Sequence, residues 1–417
     1  MRRLAVSEQA LAQLLFVAGV AIILAIGVRA VFERIKLPAQ VGYLLLGLGL
    51  RVADEQWQVL FDESRLGMDF LAELGVVALL FHVGLRSNPR ALAEQLPRAS
   101  VVWVCDVVVS AGLGFASARW LLELELLPSL FVAAALSATS VGISLLSWEQ
   151  AGALRSRAGE FLLDLSELDD LSAVLLMVLL VSAVPALAGD DSSQFSDAVK
   201  DAGLAVFWLA AIGLAAYLFA RHLELRITTT VRKWDGVSAM LVVVLGFGLV
   251  IAGLAGLAGF SAAVGALFAG LAFSRDPQAV RMDAQFAIVY DLFTPFFFLA
   301  IGFAIEPSAL GSAMGIGGVL VVAAVVGKLL GAGLPSWRLF GGGGALLIGA
   351  SMVPRAEIAM VVIRRAKESA LVSESVYAGM VTVSAVTCLL SPVAVRYILA
   401  RFPQQVPPEE EGGAGES

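Results

Sequence analysis

Long apolar runs, separated by short stretches that carry charges or proline, make up most of this chain. A membrane-spanning helix needs about 20 predominantly apolar residues, and runs of this kind recur along almost the whole sequence. The pattern predicts an all-α polytopic membrane protein with about 13 transmembrane helices. The predicted spans are 11–30, 38–52, 66–85, 99–118, 127–146, 159–188, 199–220, 236–253, 257–273, 286–305, 309–333, 341–363 and 371–400.

The composition excludes a soluble enzyme and disfavours a nucleic-acid partner. Hydrophobic residues make up 59% of the 417 positions and charged residues only 15%, whereas an ordinary soluble domain is about 25% charged. The 28 Lys and Arg residues are outnumbered by 35 Asp and Glu. No basic surplus is therefore available to neutralise a phosphate backbone.

The distribution of Lys and Arg predicts how the chain crosses the membrane. Basic residues are concentrated in the odd-numbered loops, and positively charged loops tend to stay on the cytoplasmic side. The N-terminus is then outside and the C-terminus cytoplasmic. Only the basic stretch 364–367, in the twelfth loop, departs from this rule. The polar tail 403–417 is expected to be disordered.

Two adjacent carboxylates are the main candidates for transport chemistry. Asp169 and Asp170 lie near the middle of the sixth predicted span, where an ionisable group is costly and is functional by default. Two carboxylates so close in a desolvated site resist joint ionisation, so the pair can hold either a proton or a cation. The alternative is that the pair marks a helix end near the surface.

Several other charged residues in the predicted spans are candidates for a role in ion transport. Lys328 ends a run without other charges and needs a carboxylate partner, for which Asp169 or Asp170 is expected unless Lys328 extends to the interface. Glu167, with Asp164, shares roughly the face of Asp170, as either an acidic entry path or the solvated start of the span. Two single acids, Asp106 and Asp291, could line the pathway or pack within their helices.

Small hydroxyl residues beside a glycine favour a break in the fifth predicted span. Ser137, Thr139 and Ser140 precede Gly142, and an unwound segment of this kind can coordinate a cation through hydroxyls and carbonyls. The same residues are common where helices pack closely.

A proline and two nearby charges favour a second break, in the twelfth span. Pro354 precedes Arg355 and Glu357, whose charges are expected to compensate each other and the freed backbone groups. Two interrupted helices in corresponding halves indicate an inverted repeat with a site near the membrane midplane.

Five fragments in order along the chain carry a family resemblance. ALSATSVGI at 135–143, LDD at 168–170, FFFLAIG at 296–302, GKLLGAGLP at 327–335 and MVPRAE at 352–357 together resemble bacterial sodium/proton antiporters of the monovalent cation:proton antiporter-2 family. The resemblance covers nearly the whole membrane region. It implies a homodimer in which each protomer has a scaffold and a six-helix core with two crossing discontinuous helices.

The resemblance also implies boundaries and residue roles. Scaffold or dimerisation helices would occupy 1–97 and 235–308, core repeats 98–188 and 309–402, and a linker helix and loop 189–234.

Asp170 would carry the ion, with Asp169 as second Na⁺ ligand and partner of Lys328. Thr139 would supply a hydroxyl in the first broken helix, with Ser140 as a further candidate, and Arg355 and Glu357 would be the supporting charges of the second. The aspartate pair with a lysine resembles the electrogenic subtype. Two departures are Glu167, at a normally apolar position, and Ala356, at a normal glycine.

The sequence thus predicts a secondary antiporter, not an enzyme, that exchanges protons for Na⁺, with Li⁺ or K⁺ as alternatives, in a bacterial inner membrane. It would need no cofactor, and its partners would be these ions, membrane lipid and a second copy of the chain. Three other classes of membrane protein are alternatives. They are a potassium efflux antiporter or channel-like system, a sodium-coupled organic-anion carrier, and an intramembrane protease, for which no catalytic constellation is visible in the sequence.

Overall fold

The computed structural model describes residues 8–35, 37–57, 60, 62–86, 89–153, 156–187, 237–257, 262–273 and 279–402, with five isolated residues between 203 and 218. These residues contain fourteen α-helices and no strand, which confirms the all-α class. The helices are α1 Glu8–Arg34, α2 Ala39–Trp57, α3 Asp62–Arg86, α4 Pro89–Ala116, α5 Leu126–Ser137, α6 Val141–Gln150, α7 Arg157–Leu187, α8 Val237–Leu257, α9 Ala262–Phe273, α10 Ala279–Phe303, α11 Leu310–Lys328, α12 Leu334–Ser351, α13 Glu357–Glu368 and α14 Glu374–Arg401.

Several of these helices have the length and apolar character that a membrane crossing requires. Six segments of the described chain qualify: Leu11–Arg34, Ser64–Leu85, Ala99–Leu121, Leu126–Leu145, Pro307–Ser351 and Glu374–Arg401. Shorter apolar helices cover Val242–Gly256 and Ile288–Phe303. The number of spans stays a prediction, because the seventh predicted span, 199–220, lies outside the described residues apart from its isolated positions.

The largest difference from the predicted helix boundaries is around Pro335. The sequence predicted a loop between 333 and 341, but α11 continues through a π-helical turn, Leu329–Gly333, into α12, which covers those positions. Pro335 follows this π-helical turn by two residues, and local π-helical adjustment is one way in which a membrane helix accommodates proline. The chain turns instead at Gly341, whose φ of 68° suits glycine.

The helical segment after Gly341 folds back onto the π-helical turn. Built on Gly349, a Cβ atom would lie 3.2 Å from the Cα of Gly333, and one built on Gly333 would lie 3.0 Å from the carbonyl oxygen of Ala345. Glycines thus allow the two backbones to approach closely. This return path carries the chain from Lys328 to the second break.

The chain divides into two compact units. Unit 1 comprises Met1–Ala93 and Val174–Leu310, and unit 2 comprises Glu94–Ala173 and Gly311–Ser417. The division near residue 174 falls within α7. Identification of these stretches with scaffold and core repeats, at the boundaries expected from the sequence, stays a prediction.

Unit 1 is packed through glycines at two helix crossings. A Cβ on Gly47 of α2 would lie 2.0 Å from the carbonyl oxygen of Leu299, and one on Gly302 of α10 would lie 2.0 Å from that of Leu44. At the second crossing, between α3 and α9, a Cβ built on Gly84 would lie 2.1 Å from the carbonyl oxygen of Leu267, and one built on Gly270 would lie 2.2 Å from that of Phe81. Small residues at such positions let apolar helices pack backbone to backbone.

Candidate cation site in unit 2

Two helix interruptions meet within unit 2. The first separates α5 from α6 at residues 138–140, and the second separates α12 from α13 at residues 352–356. The backbone N–H of Ser140 donates to the carbonyl oxygen of Pro354 at 2.9 Å, and the Ser140 hydroxyl donates to the carboxylate of Glu357. Each break therefore supplies hydrogen-bond partners to the other.

Buried hydroxyl and indole groups hold the second break in place. Ser144 on α6 donates to the carbonyl oxygen of Ser351 at 2.8 Å, and the indole nitrogen of Trp148 donates to the Ser351 hydroxyl at 2.8 Å. From α14, the Ser391 hydroxyl donates to the carbonyl oxygen of Ala350 at 2.7 Å. These contacts fix the C-terminal end of α12.

Charged side chains stand at the helix ends that the two breaks create. Lys328 Nζ donates to the carbonyl oxygen of Ser137, the last residue of α5, at 2.8 Å. Arg355 Nη1 donates to the carbonyl oxygens of Met352, Val353 and Pro354 at 2.8, 3.1 and 3.2 Å, just after α12. Cations at helix C-termini oppose the partial negative charge there.

Arg355 compensates the freed backbone groups of the second break, as expected, but the expected compensation of Arg355 and Glu357 by each other is wrong. Among the described residues these two charges form no ion pair with each other. Glu357 lies in the first turn of α13, where a carboxylate complements the helix dipole, and accepts from Ser140 across the crossing. Arg355 is fully buried, and its guanidinium donates hydrogen bonds to the carbonyl oxygens of residues 352–354 in the second break.

Lys328 is the centre of a buried charge cluster. Its Nζ lies 2.6 Å from Oδ2 of Asp106 and 2.9 Å from Oδ2 of Asp169, and all three side chains have 0% exposure. The sequence left the role of Asp106 open. The sequence signal for this pair was that Asp106 is a lone acid in one apolar span and Lys328 a lone lysine in another.

The aspartate pair presents two different environments. Asp169 is fully buried, and its Oδ1 has no hydrogen-bond partner among the described residues, whereas Asp170 is partly buried. Thr139 is 4% exposed, and its hydroxyl also lacks a described hydrogen-bond partner. Unused buried oxygens of this kind are suitable ligands for a hard cation. For Glu167 the structure gives the helix position but no description of the side chain.

Two further candidate acids, Asp291 and Asp164, lie on α10 and α7. Asp291 belongs to unit 1 and pairs with Arg29 at 2.8 Å, with both side chains 47% exposed. Asp164 is partly buried on α7.

Comparison with known proteins identifies the family. The model of the sodium/hydrogen exchanger transmembrane family matches residues 20–401. The high-affinity Na⁺/H⁺ antiporter NhaS3 of Synechocystis is 26% identical over 88% of this chain and 79% of its own length. The Na⁺/H⁺ antiporter of Enterococcus hirae is 26% identical over 88% and 92%. The Na⁺/H⁺-K⁺ antiporter GerN of Bacillus cereus is 27% identical over 87% and 90%.

A solved structure shares the fold. The sodium proton antiporter MjNhaP1 from Methanocaldococcus jannaschii, at pH 8, superposes with a TM-score of 0.67 and 16% sequence identity over 95% of this chain and 98% of that chain. At this identity the likeness concerns the fold alone. The family match, which spans both helix breaks and the charged cluster, confirms the resemblance found in the sequence: this chain belongs to the sodium/hydrogen exchanger family of transmembrane proteins.

Proposed function

We propose that this protein is a secondary antiporter that exchanges protons for Na⁺ across a bacterial inner membrane. The observation that carries the proposal is the contact of Lys328 with Asp169 beside Asp170, at the crossing of two broken helices in a member of this family. Three relatives are named as Na⁺/H⁺ antiporters. Membership of an exchanger family also supports a transporter rather than an enzyme.

Asp170 is the carrier in this proposal. Its carboxylate binds either a proton or the cation, so that the two compete for one site and cross in opposite directions. Asp169 and Thr139 add oxygen ligands, because Oδ1 of Asp169 and the hydroxyl of Thr139 have no described hydrogen bond to give up. Lys328 competes with the cation for Asp169, which couples cation binding to the state of the buried charge cluster.

The proposal extends to assembly, orientation and charge movement. The chain is a homodimer with its N-terminus outside and its C-terminus in the cytoplasm, as the resemblance and the basic loops suggest. The transported ions are its only required small molecules, and its surface is in contact with lipid. The aspartate pair and Lys328 favour an electrogenic cycle.

Potassium is the second candidate cation. GerN is named as a Na⁺/H⁺-K⁺ antiporter, and a relative from Alkalimonas amylolytica, of which this chain covers 43%, is named as a putative K⁺ efflux antiporter. Carboxylate and hydroxyl oxygens do not by themselves separate Na⁺ from K⁺. The choice of Na⁺ over K⁺ therefore depends on the names of the relatives above.

Purified protein in liposomes that contain a pH-sensitive dye tests this function. Pulses of external Na⁺ should alkalinise the lumen, because entry of Na⁺ is exchanged for exit of luminal protons, and empty liposomes should not respond. Li⁺ and K⁺ pulses give the selectivity. If none of the three cations drives proton flux and a labelled organic anion is taken up, the protein is a coupled organic-anion carrier and not an antiporter.

A further inference from the structure

Asp106 and Asp169 each contact Lys328 through one oxygen, but only Asp106 also has a described partner for its second oxygen. Oδ2 of Asp106 lies 2.6 Å from Lys328 Nζ, and its Oδ1 accepts from the Ser110 hydroxyl at 3.3 Å. Asp169 uses only Oδ2 for Lys328 and has no described hydrogen bond at Oδ1. The two carboxylates on this lysine therefore differ: Asp106 is engaged at both oxygens, and Asp169 has an oxygen to offer.

Backbone packing holds Asp106 against the segment that carries Lys328. Cβ atoms built on Gly327 and Gly331, which flank Lys328 by one and three residues, would lie 3.2 Å from the Cα of Ser110 and 2.9 Å from the Cα of Asp106. The backbones of α4 and the Lys328 segment are thus in direct contact. The Asp106–Lys328 pair does not depend on α7, the helix that carries Asp169 and Asp170.

We propose that Asp106 is a positioning residue, the fixed counter-ion of Lys328, which leaves Asp169 available to the transported cation. This inference rests on the proposed antiport function. With Asp106 in place, Lys328 keeps a carboxylate when Asp169 turns towards the cation. Without it, the cation must take the last counter-ion from a buried ammonium group, which is strongly unfavourable.

The effect is measured as the KM and the maximal rate of Na⁺-driven proton flux in proteoliposomes. Asp106→Asn should raise the KM for Na⁺ about ten-fold or more, equivalent to about 1.4 kcal/mol, with the maximal rate largely retained. Asp106→Glu, which restores a carboxylate, should bring the KM back towards that of the unmodified protein. A purely structural role would instead lower the amount of active protein and the maximal rate.

Asp54→Asn is the matched control. Asp54 is a buried aspartate of unit 1 whose Oδ2 lies 2.6 Å from Nη2 of Arg65, so its replacement also breaks a buried carboxylate contact with a basic group. Its KM for Na⁺ should stay at the unmodified value. An Asp106→Asn protein with an unchanged KM, or an Asp54→Asn protein with an equal rise, would overturn the proposal.

Melting temperatures of the purified proteins give a second test that does not need turnover. Asp169→Asn leaves the Asp106–Lys328 pair intact and should melt close to the unmodified protein. The double variant Asp106→Asn/Asp169→Asn leaves Lys328 without either carboxylate and should lose more than the two single variants together. Recovery of folded Asp169→Asn but not of folded Asp106→Asn would indicate a structural role for Asp106 and would overturn the proposal.

The outcomes separate the two proposals. A large loss of melting temperature in Asp169→Asn, as great as in the double variant, would show that Asp106 does not hold Lys328 and would overturn this inference. Absence of Na⁺-driven flux in the unmodified protein would refute the antiport function. The melting temperatures would still report whether Asp106 is the fixed partner of Lys328.

Discussion

The crossing of α2 and α10 in unit 1 should not tolerate a single added methyl group. In Gly47→Ala the new Cβ would lie 2.0 Å from the carbonyl oxygen of Leu299, whereas real Cβ contacts are essentially never shorter than 3.0 Å. The oxygen belongs to a helix backbone, so no side-chain rotation can relieve the clash. The two helices must separate by about 1 Å or bend, and their remaining contacts are then lost.

The expected cost follows from a comparison within one helix. Overpacking of a tightly packed interior costs about 1–3 kcal/mol. Gly49, also on α2, has nothing within 4 Å of its ideal Cβ position. Gly47→Ala and Gly49→Ala change helix propensity in the same way, so that contribution largely cancels between them. Gly47→Ala should therefore be less stable than Gly49→Ala by about 1–3 kcal/mol.

Thermal unfolding of the two purified variants in the same detergent measures this difference. We expect Gly49→Ala to melt at or above the temperature of the unmodified protein and Gly47→Ala clearly below it. Gly302→Ala should resemble Gly47→Ala, since its Cβ meets the carbonyl oxygen of Leu44 at the same 2.0 Å. Equal melting temperatures for Gly47→Ala and Gly49→Ala would refute the argument that backbone contact at this crossing requires glycine.

Three further predictions concern the ion site and use the proteoliposome assay. Asp170→Asn should abolish Na⁺-driven proton flux in a folded protein, because it removes the charge that both ions share; substantial remaining flux would place the carrier elsewhere. Thr139→Ala should raise the KM for Na⁺ while transport stays measurable, since one neutral ligand is lost beside the carboxylates; an unchanged KM would make Thr139 a packing residue. Lys328→Arg should strongly reduce flux, because a larger guanidinium that does not release its proton replaces an ammonium in a fully buried site; normal flux would show that the lysine has no specific role.

The sequence predicted the helical membrane class and both helix breaks because each has a local signal. Long apolar runs define spans, and Pro354 and the hydroxyl-rich stretch around Thr139 disfavour continuous helix. The turn at Gly341 was placed several residues too early. Pro335 suggested a helix end, but proline is also accommodated next to a local π-helical turn, and only the structure distinguishes the two cases.

The sequence predicted which residues of the site need a partner, but it did not identify each partner. A lone buried lysine requires a carboxylate, so a partner for Lys328 was expected, but Asp106 could not be chosen over other single acids without the packing of α4 against Gly327 and Gly331. Likewise, Arg355 and Glu357 are close in sequence, which suggested a pair. The crossing instead brings Ser140 to Glu357 and leaves Arg355 facing three carbonyls.

The hydrogen bond from the Ser140 amide to the Pro354 carbonyl limits how this protein can be recombined with its relatives. A chimera that took α5 and α6 from another exchanger would keep the backbone donor at position 140 but would change the helix geometry that aims it at Pro354. Because the two breaks satisfy each other, neither is an independent module. Functional chimeras should exchange both broken helices together, although more than 200 residues separate them in the chain.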